Sequence, residues 1–278
     1  MTARLPDFLL IGATKCGTTS LHRWLSDHPS VWMPAEKELR YFTAQHHLHR
    51  GPDWYAAQFA EAPADAVVGE ASNAYTRHPV YDGVPERIAA MMPKARLIYV
   101  TRDPMARIES HYRHRLVTGI EWRSPSRAIR ADPRYVAASL YGHQIARYLD
   151  HFPASQILVL RSEDLFARPQ AELGRLSAFL GIERAAGPEY RPRNVTAVRR
   201  IAPWPLRRLG GFPRTKFRAK AWAAGLARSP LGQYLPTADQ PDFEIAADLR
   251  AELTHRFEED ARLLSRLLPD PVPEEIPA

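Results

Sequence analysis

An α/β fold, with a central parallel sheet flanked by helices in three layers, follows from three observations. Apolar runs at 8–13, 66–69, 97–101 and 156–160 lack polar alternation, the pattern of strands buried on both faces. Helical periodicity near 17–27, 80–91, 104–118, 134–150 and 169–181 separates those runs, so strand and helix alternate and the strands run parallel. The first run ends in a Gly, Lys and Thr cluster that opens a helix, the usual place for an anion in such a sheet. With 278 residues, 45% hydrophobic and 25% charged, the chain can bury a full core, and a single domain over 1–278 is expected.

The first strand passes into Gly12-Ala13-Thr14-Lys15-Cys16-Gly17-Thr18-Thr19-Ser20. A tight loop entering a helix aims backbone N–H groups and two hydroxyls at one point, where the helix dipole also favours negative charge. Gly12 and Gly17 fit the glycines of G-x-x-x-x-G-K-[ST], but Thr18 stands at the lysine position and Lys15 comes two residues before Gly17. The fold is therefore P-loop-like with an altered phosphate grip. Lys15, Cys16, Gly17, Thr18, Thr19 and Ser20 are its candidate binding residues.

The strand at 97–101 is followed by Arg102-Asp103-Pro104. Asp103 is a natural N-cap and Pro104 a natural first helical residue, so Arg102 takes the strand end and Ser110 lies two turns into the helix. Arginine offers a planar fork to a phosphate, and serine a neutral donor beside it. Read alone, this is equally a capped surface helix. Paired with the first loop, it gives two anion sites on adjacent strand ends, which suits a nucleotide phosphorylated at both ends.

Lys15-Cys16-Gly17-Thr18-Thr19 resembles the K-x-G-T-T loop of sulfotransferases that use 3′-phosphoadenosine 5′-phosphosulfate (PAPS), and Arg102 to Tyr112 resembles their 3′-phosphate motif R-D-P-x-x-R-x-x-S-x-Y. Pro34 to Phe42 is similar to the K-E-x-x-[FY]-F segment of the Golgi heparan-sulfate sulfotransferases and their bacterial relatives, and Gly69 to Tyr75 to their G-E-x-[ST]-P-x-Y segment. Ser139 to Gln144 and Gln156 to Leu165 match further blocks. The chain thus resembles a soluble bacterial relative of the heparan-sulfate and carbohydrate branch. That resemblance implies PAPS as co-substrate without a metal, and sulfuryl transfer to a hydroxyl or amine of a carbohydrate, lipid or secondary metabolite. It implies Lys15 as the cation at the bridging oxygen and Glu38 as general base. Glu70, Ser72 and Tyr75 follow a buried strand and are expected to face the acceptor. Arg193, within Arg191-Pro192-Arg193-Asn194, is expected in the place of the family's lysine-rich nucleotide loop. Three departures stand out: Ser20 replaces the tryptophan that stacks on adenine in the cytosolic branch, Ala71 a lysine and Asn73 a proline. The adenine partner is unassigned, and a heparan-like acceptor is not implied.

The net charge of +7 is uneven, because ten Lys or Arg and no acidic residue lie between Arg191 and Lys220, leaving the rest negative by about three. Trp204, Phe212, Phe217 and Trp222 interleave with these cations. A lid about 190–240 over the nucleotide, contact with membrane or a lipid-linked acceptor, single-stranded nucleic acid and a solvated basic face all suit this composition. No nucleic-acid partner is expected from the remaining motifs. Phe243 to Leu268 reads as a closing amphipathic helix. One cysteine excludes an internal disulfide, and no apolar stretch approaches twenty residues, so a cytoplasmic location is expected. Abundant Ala, Arg and Pro point to a GC-rich bacterial source.

The competing reading is a P-loop nucleotide kinase or nucleotide-binding regulator, which should carry the missing lysine and a Mg²⁺-binding Asp at a strand end. His46, His47 and His49 lack partnered ligands at a recognised metal spacing. Arg23 follows Cys16 after six residues, where a cysteine phosphatase needs five. The Cys16 thiol is expected to have a lowered pKa near the helix start. His111 and His114 read as helix-surface residues, and Arg107 as support for their helix.

Overall fold

The computed structural model describes residues 4–118, 120–183, 190 and 242–268. Strands β1 (Phe8–Gly12), β2 (Val31–Trp32), β3 (Val67–Ala71), β4 (Arg96–Thr101) and β5 (Ile157–Arg161) form a parallel sheet in the order β2-β3-β1-β4-β5. The middle strand, β1, is buried along its whole length, as its unbroken apolar sequence requires. Phe8 faces Gly69 across the β1–β3 pair, and a Cβ there would come within 2.1 Å of the Phe8 ring. Glycine lets the ring pack flat on the neighbouring backbone.

Ten helices accompany the strands among the described residues: α1 (Thr18–Ser26), α2 (Gly51–Ala57), α3 (Val84–Met91), α4 (Pro104–Val117), α5 (Pro125–Ala131), α6 (Arg134–Ala137), α7 (Tyr141–Leu149), α8 (Ser162–Ala167), α9 (Pro169–Leu180) and α10 (Ala247–Leu267). The expected alternation of strand and helix is present. Several boundaries differ. The helix predicted over 134–150 is two helices, because Leu140 leaves helical geometry at φ −87° and ψ 76°. Gln144 fastens this break, donating to Ala137 O at 3.1 Å and His78 O at 2.8 Å while accepting from His78 N. The helix predicted from 80 begins at Val84, and the strand predicted to stop at 69 continues to Ala71. Stretches 43–65 and 118–135, which lie outside most of the predicted strands and helices, hold α2 and α5.

Two apolar clusters form the core. The larger wraps the sheet, and the smaller joins Ile108, Tyr112 and Leu116 of α4 with Ile245, Leu249, Leu253 and Phe257 near and within α10. α10 also caps another helix. Buried Asp260 accepts from Gly142 N at 2.9 Å and His143 N at 3.0 Å, satisfying donors at the start of α7. The basic segment Arg191–Lys220, and Arg193 within it, lie outside the described residues.

Candidate active site

The loop between β1 and α1 ends at Gly17, in the left-handed conformation at φ 87°. This lets the chain turn straight into α1, whose N-terminus has no side-chain cap, so its first backbone N–H groups lack an intrahelical acceptor. Thr18 is buried, while Thr19 is exposed and accepts a hydrogen bond from Lys37 Nζ at 3.1 Å. Lys15 takes φ 70°, and burial first, then Arg102 and Arg107, pull its ammonium below the usual lysine range. Ser20 is buried under the loop.

Arg102, beyond the end of β4, donates to Lys15 O at 3.4 Å, so the two expected anion ends adjoin. Asp103 caps α4 by accepting from Ala106 N at 2.7 Å, with Pro104 in the first turn. Ser110 sits half-buried on that helix. Arg107 is fully buried, donating to Ser139 Oγ, Tyr135 O and His111 Nδ1. His111 is therefore half-buried and held in place on the helix: it packs 4.8 Å from the Tyr135 ring, and burial beside Arg107 and Arg77 drives its pKa far below the usual histidine range.

The Cys16 expectation is also corrected. Its side chain is completely buried, with Sγ 3.5 Å from Tyr141 Oη, and desolvation pushes the thiol up to about 11. Only its backbone belongs to the loop surface.

Glu38 comes from the segment after β2 and sits at φ 67°. Its N–H donates to Ala71 O at 2.9 Å, and its carboxylate accepts from Asn73 N at 3.1 and 3.2 Å and Arg40 Nε at 3.5 Å. It is therefore seated beyond the end of β3, the strand beside β1. Glu70, Ser72 and Tyr75 lie beneath it and are buried. Glu70 accepts from Tyr55 Oη at 3.0 Å, Tyr75 Oη at 2.9 Å and Ser72 Oγ, and Ser72 Oγ accepts in turn from Arg40 N at 2.9 Å. Desolvation outweighs these donors and raises the Glu70 carboxyl to about 7.

Two cations were given no role by the sequence. Arg77 donates to Thr14 Oγ1 at 2.8 Å and keeps a buried, unpartnered Nε, and Lys37 reaches Thr19. The lysine of the K-E-x-x-[FY]-F segment was the available signal for Lys37, and Arg77 had none beyond its place two residues after Tyr75. Among the described residues, no carboxylate lies within ion-pair distance of Lys15, Lys37 or Arg102. Partly buried cations without counter-ions fit an anionic ligand at both ends of the loop. His46 and His47 are engaged elsewhere, with Thr43 Oγ1 at 2.8 Å and Leu39 O at 2.7 Å. No helix among the described residues is long and apolar enough to cross a membrane.

The model of the sulfotransferase-domain family matches residues 5–195. Human bifunctional heparan sulfate N-deacetylase/N-sulfotransferase 2 is 30% identical over 201 residues, which are 64% of this chain and 22% of that protein. The bovine counterpart is 31% identical over the same shares, so the chain spans only 22% of the length of these relatives. A solved sulfotransferase from Alicyclobacillus acidocaldarius is similar with a TM-score of 0.68 and 26% identity, over 97% of this chain and 98% of that one. The sulfotransferase domain from the curacin biosynthetic pathway shares the fold, with a TM-score of 0.53 and 18% identity over 94% of this chain and 98% of that one. With more than half its length matched by the family model and a phosphate-type loop at the head of its middle strand, the chain belongs to the sulfotransferase family.

Proposed function

We propose that the protein moves a sulfuryl group from PAPS to a hydroxyl or amine of a small-molecule, lipid or glycan acceptor, by in-line transfer with Glu38 as base. The observation that carries this reading is the meeting of Lys15 and Arg102 at one loop, with a carboxylate seated beyond the adjacent strand. When bound, PAPS supplies the sulfuryl group and a phosphate leaving group. Gly17, Thr18 and Thr19, with the first N–H groups of α1, hold the 5′-phosphate; Cys16 contributes its backbone, and buried Ser20 supports the turn. Arg102 and Ser110 hold the 3′-phosphate. Lys15 stabilises the charge that develops on the bridging oxygen as its bond to sulfur breaks. Glu38 takes the acceptor's proton as the new bond to sulfur forms. As in phosphoryl transfer, positioning and charge stabilisation do most of the work. Glu70, Ser72 and Tyr75 act behind Glu38, fixing the segment that carries it.

Calorimetric titration with adenosine 3′,5′-bisphosphate, set against ADP with Mg²⁺, tests the reading. Micromolar or tighter binding of the 3′,5′ isomer with much weaker ADP supports it. Preference for Mg²⁺·ADP overturns it in favour of a nucleotide kinase.

A further inference from the structure

We infer that Lys37 is a second donor-binding cation, placed with the Thr19 hydroxyl over the opening of α1 to grip the 5′-phosphate. The inference rests on the sulfotransferase reading and adds a residue to it. Lys37 Nζ lies 3.1 Å from Thr19 Oγ1, across 18 residues of sequence. An ammonium only donates, so the threonine oxygen accepts and its own O–H is left to donate elsewhere, polarised by the cation. That hydroxyl stands in the first turn of α1, where backbone N–H groups have no intrahelical acceptor. Two further N–H bonds of the ammonium remain for the same ligand.

The electrostatics agree with this placement. Lys37 is half-buried, and desolvation lowers its pKa, opposed only by Glu38. No carboxylate among the described residues lies within ion-pair distance of it, so Glu38 offsets the cost of burial only in part and an arriving anion offsets more. His22, one turn along α1, is held at about 4 by burial and by Lys37, so it stays neutral at physiological pH and adds no competing charge. Lys15 belongs to the loop itself, whereas Lys37 is delivered by the segment that carries Glu38. The left-handed turn at Glu38 sends successive side chains apart, Lys37 to Thr19 and Glu38 to Asn73 N. Donor binding through Lys37 thereby fixes the residue that precedes the base.

Calorimetry on Lys37→Met, with adenosine 3′,5′-bisphosphate and adenosine 3′-monophosphate as probes, separates the possibilities. Loss of a charge-assisted contact predicts binding of the bisphosphate weakened about tenfold or more, with the 3′-monophosphate unchanged because it has no 5′-phosphate. Thr19→Val should give a loss of its own, and the double variant should lose less than the two losses combined. Equal weakening of both ligands, or no weakening, overturns the inference while leaving the sulfotransferase reading intact. Failure of the unaltered protein to bind either nucleotide overturns that reading first. Thermal midpoints measured alongside identify any variant that fails to fold, and Lys37→Arg, which keeps the charge, then serves as the second probe and should restore most of the affinity.

Discussion

Glu38 has its backbone N–H tied to Ala71 O and its carboxylate tied to Asn73 N, so its position depends on β3 more than on its own loop. Glu38→Gln keeps the shape and removes the proposed base. Titration should show bisphosphate affinity within about threefold of the parent, and a labelled-donor assay should show transfer reduced about a hundredfold or more. Lys15→Ala should lower kcat and leave the acceptor's KM nearly unchanged, because the charge it meets grows only in the transition state. Cys16 gives a third expectation at this scale: with its thiol pushed up to about 11 and fully buried, alkylation at pH 8 should be slow in the native protein and fast in urea. Mass spectrometry of the labelled peptide reads both rates. The motif reading located the loop, but not the direction of the cysteine. A residue at a helix start is exposed to the dipole on its surface side only, and this side chain turns inward to Tyr141.

At the scale of elements, α7 depends on a residue 118 positions away. Asp260→Ala removes the acceptor for Gly142 N and His143 N, and the loss should be about 2 kcal/mol, seen as a lower urea midpoint at unchanged slope. Gly142→Ala should destabilise similarly, since its new Cβ would come within 2.6 Å of Asp260 O. The long, strongly patterned elements were legible in the chain: four of the five strands and the helices α1, α3, α4, α9 and α10. β2 has two residues, too few to display a period, and is held by its neighbour β3 instead of by pattern. The split between α6 and α7 could not be read either, because Gln144 makes it through contacts with His78, which is remote in sequence.

For the whole molecule, the buried carboxyl of Glu70 ties stability to pH. Burial raises it to about 7, above its ordinary value of 4.5, so the folded state holds this proton more tightly than the unfolded chain. Its contribution is complete below pH 4.5 and is lost as pH rises to about 7, a matter of a few kcal/mol. Glu70→Gln should flatten that part of the profile, which urea titrations from pH 5 to 8 can compare directly. If both proteins lose stability in parallel, Glu70 is not the group responsible.

The smaller apolar cluster has a consequence in time. Ile108, Tyr112 and Leu116 find near partners at Ala128, Ile129, Tyr135 and Val136, and complete their packing against Leu249, Leu253 and Phe257, more than 130 residues further along. The strands that position Lys15 and Glu38 find one another earlier, since β1, β2, β3 and β4 all lie within the first 101 residues. A chain emerging from the ribosome can therefore assemble the proposed sulfuryl end of its site while the helix bearing Ser110 still lacks the outer part of its packing face. On the proposed reading, grip on the nucleotide's far phosphate is completed only when α10 docks.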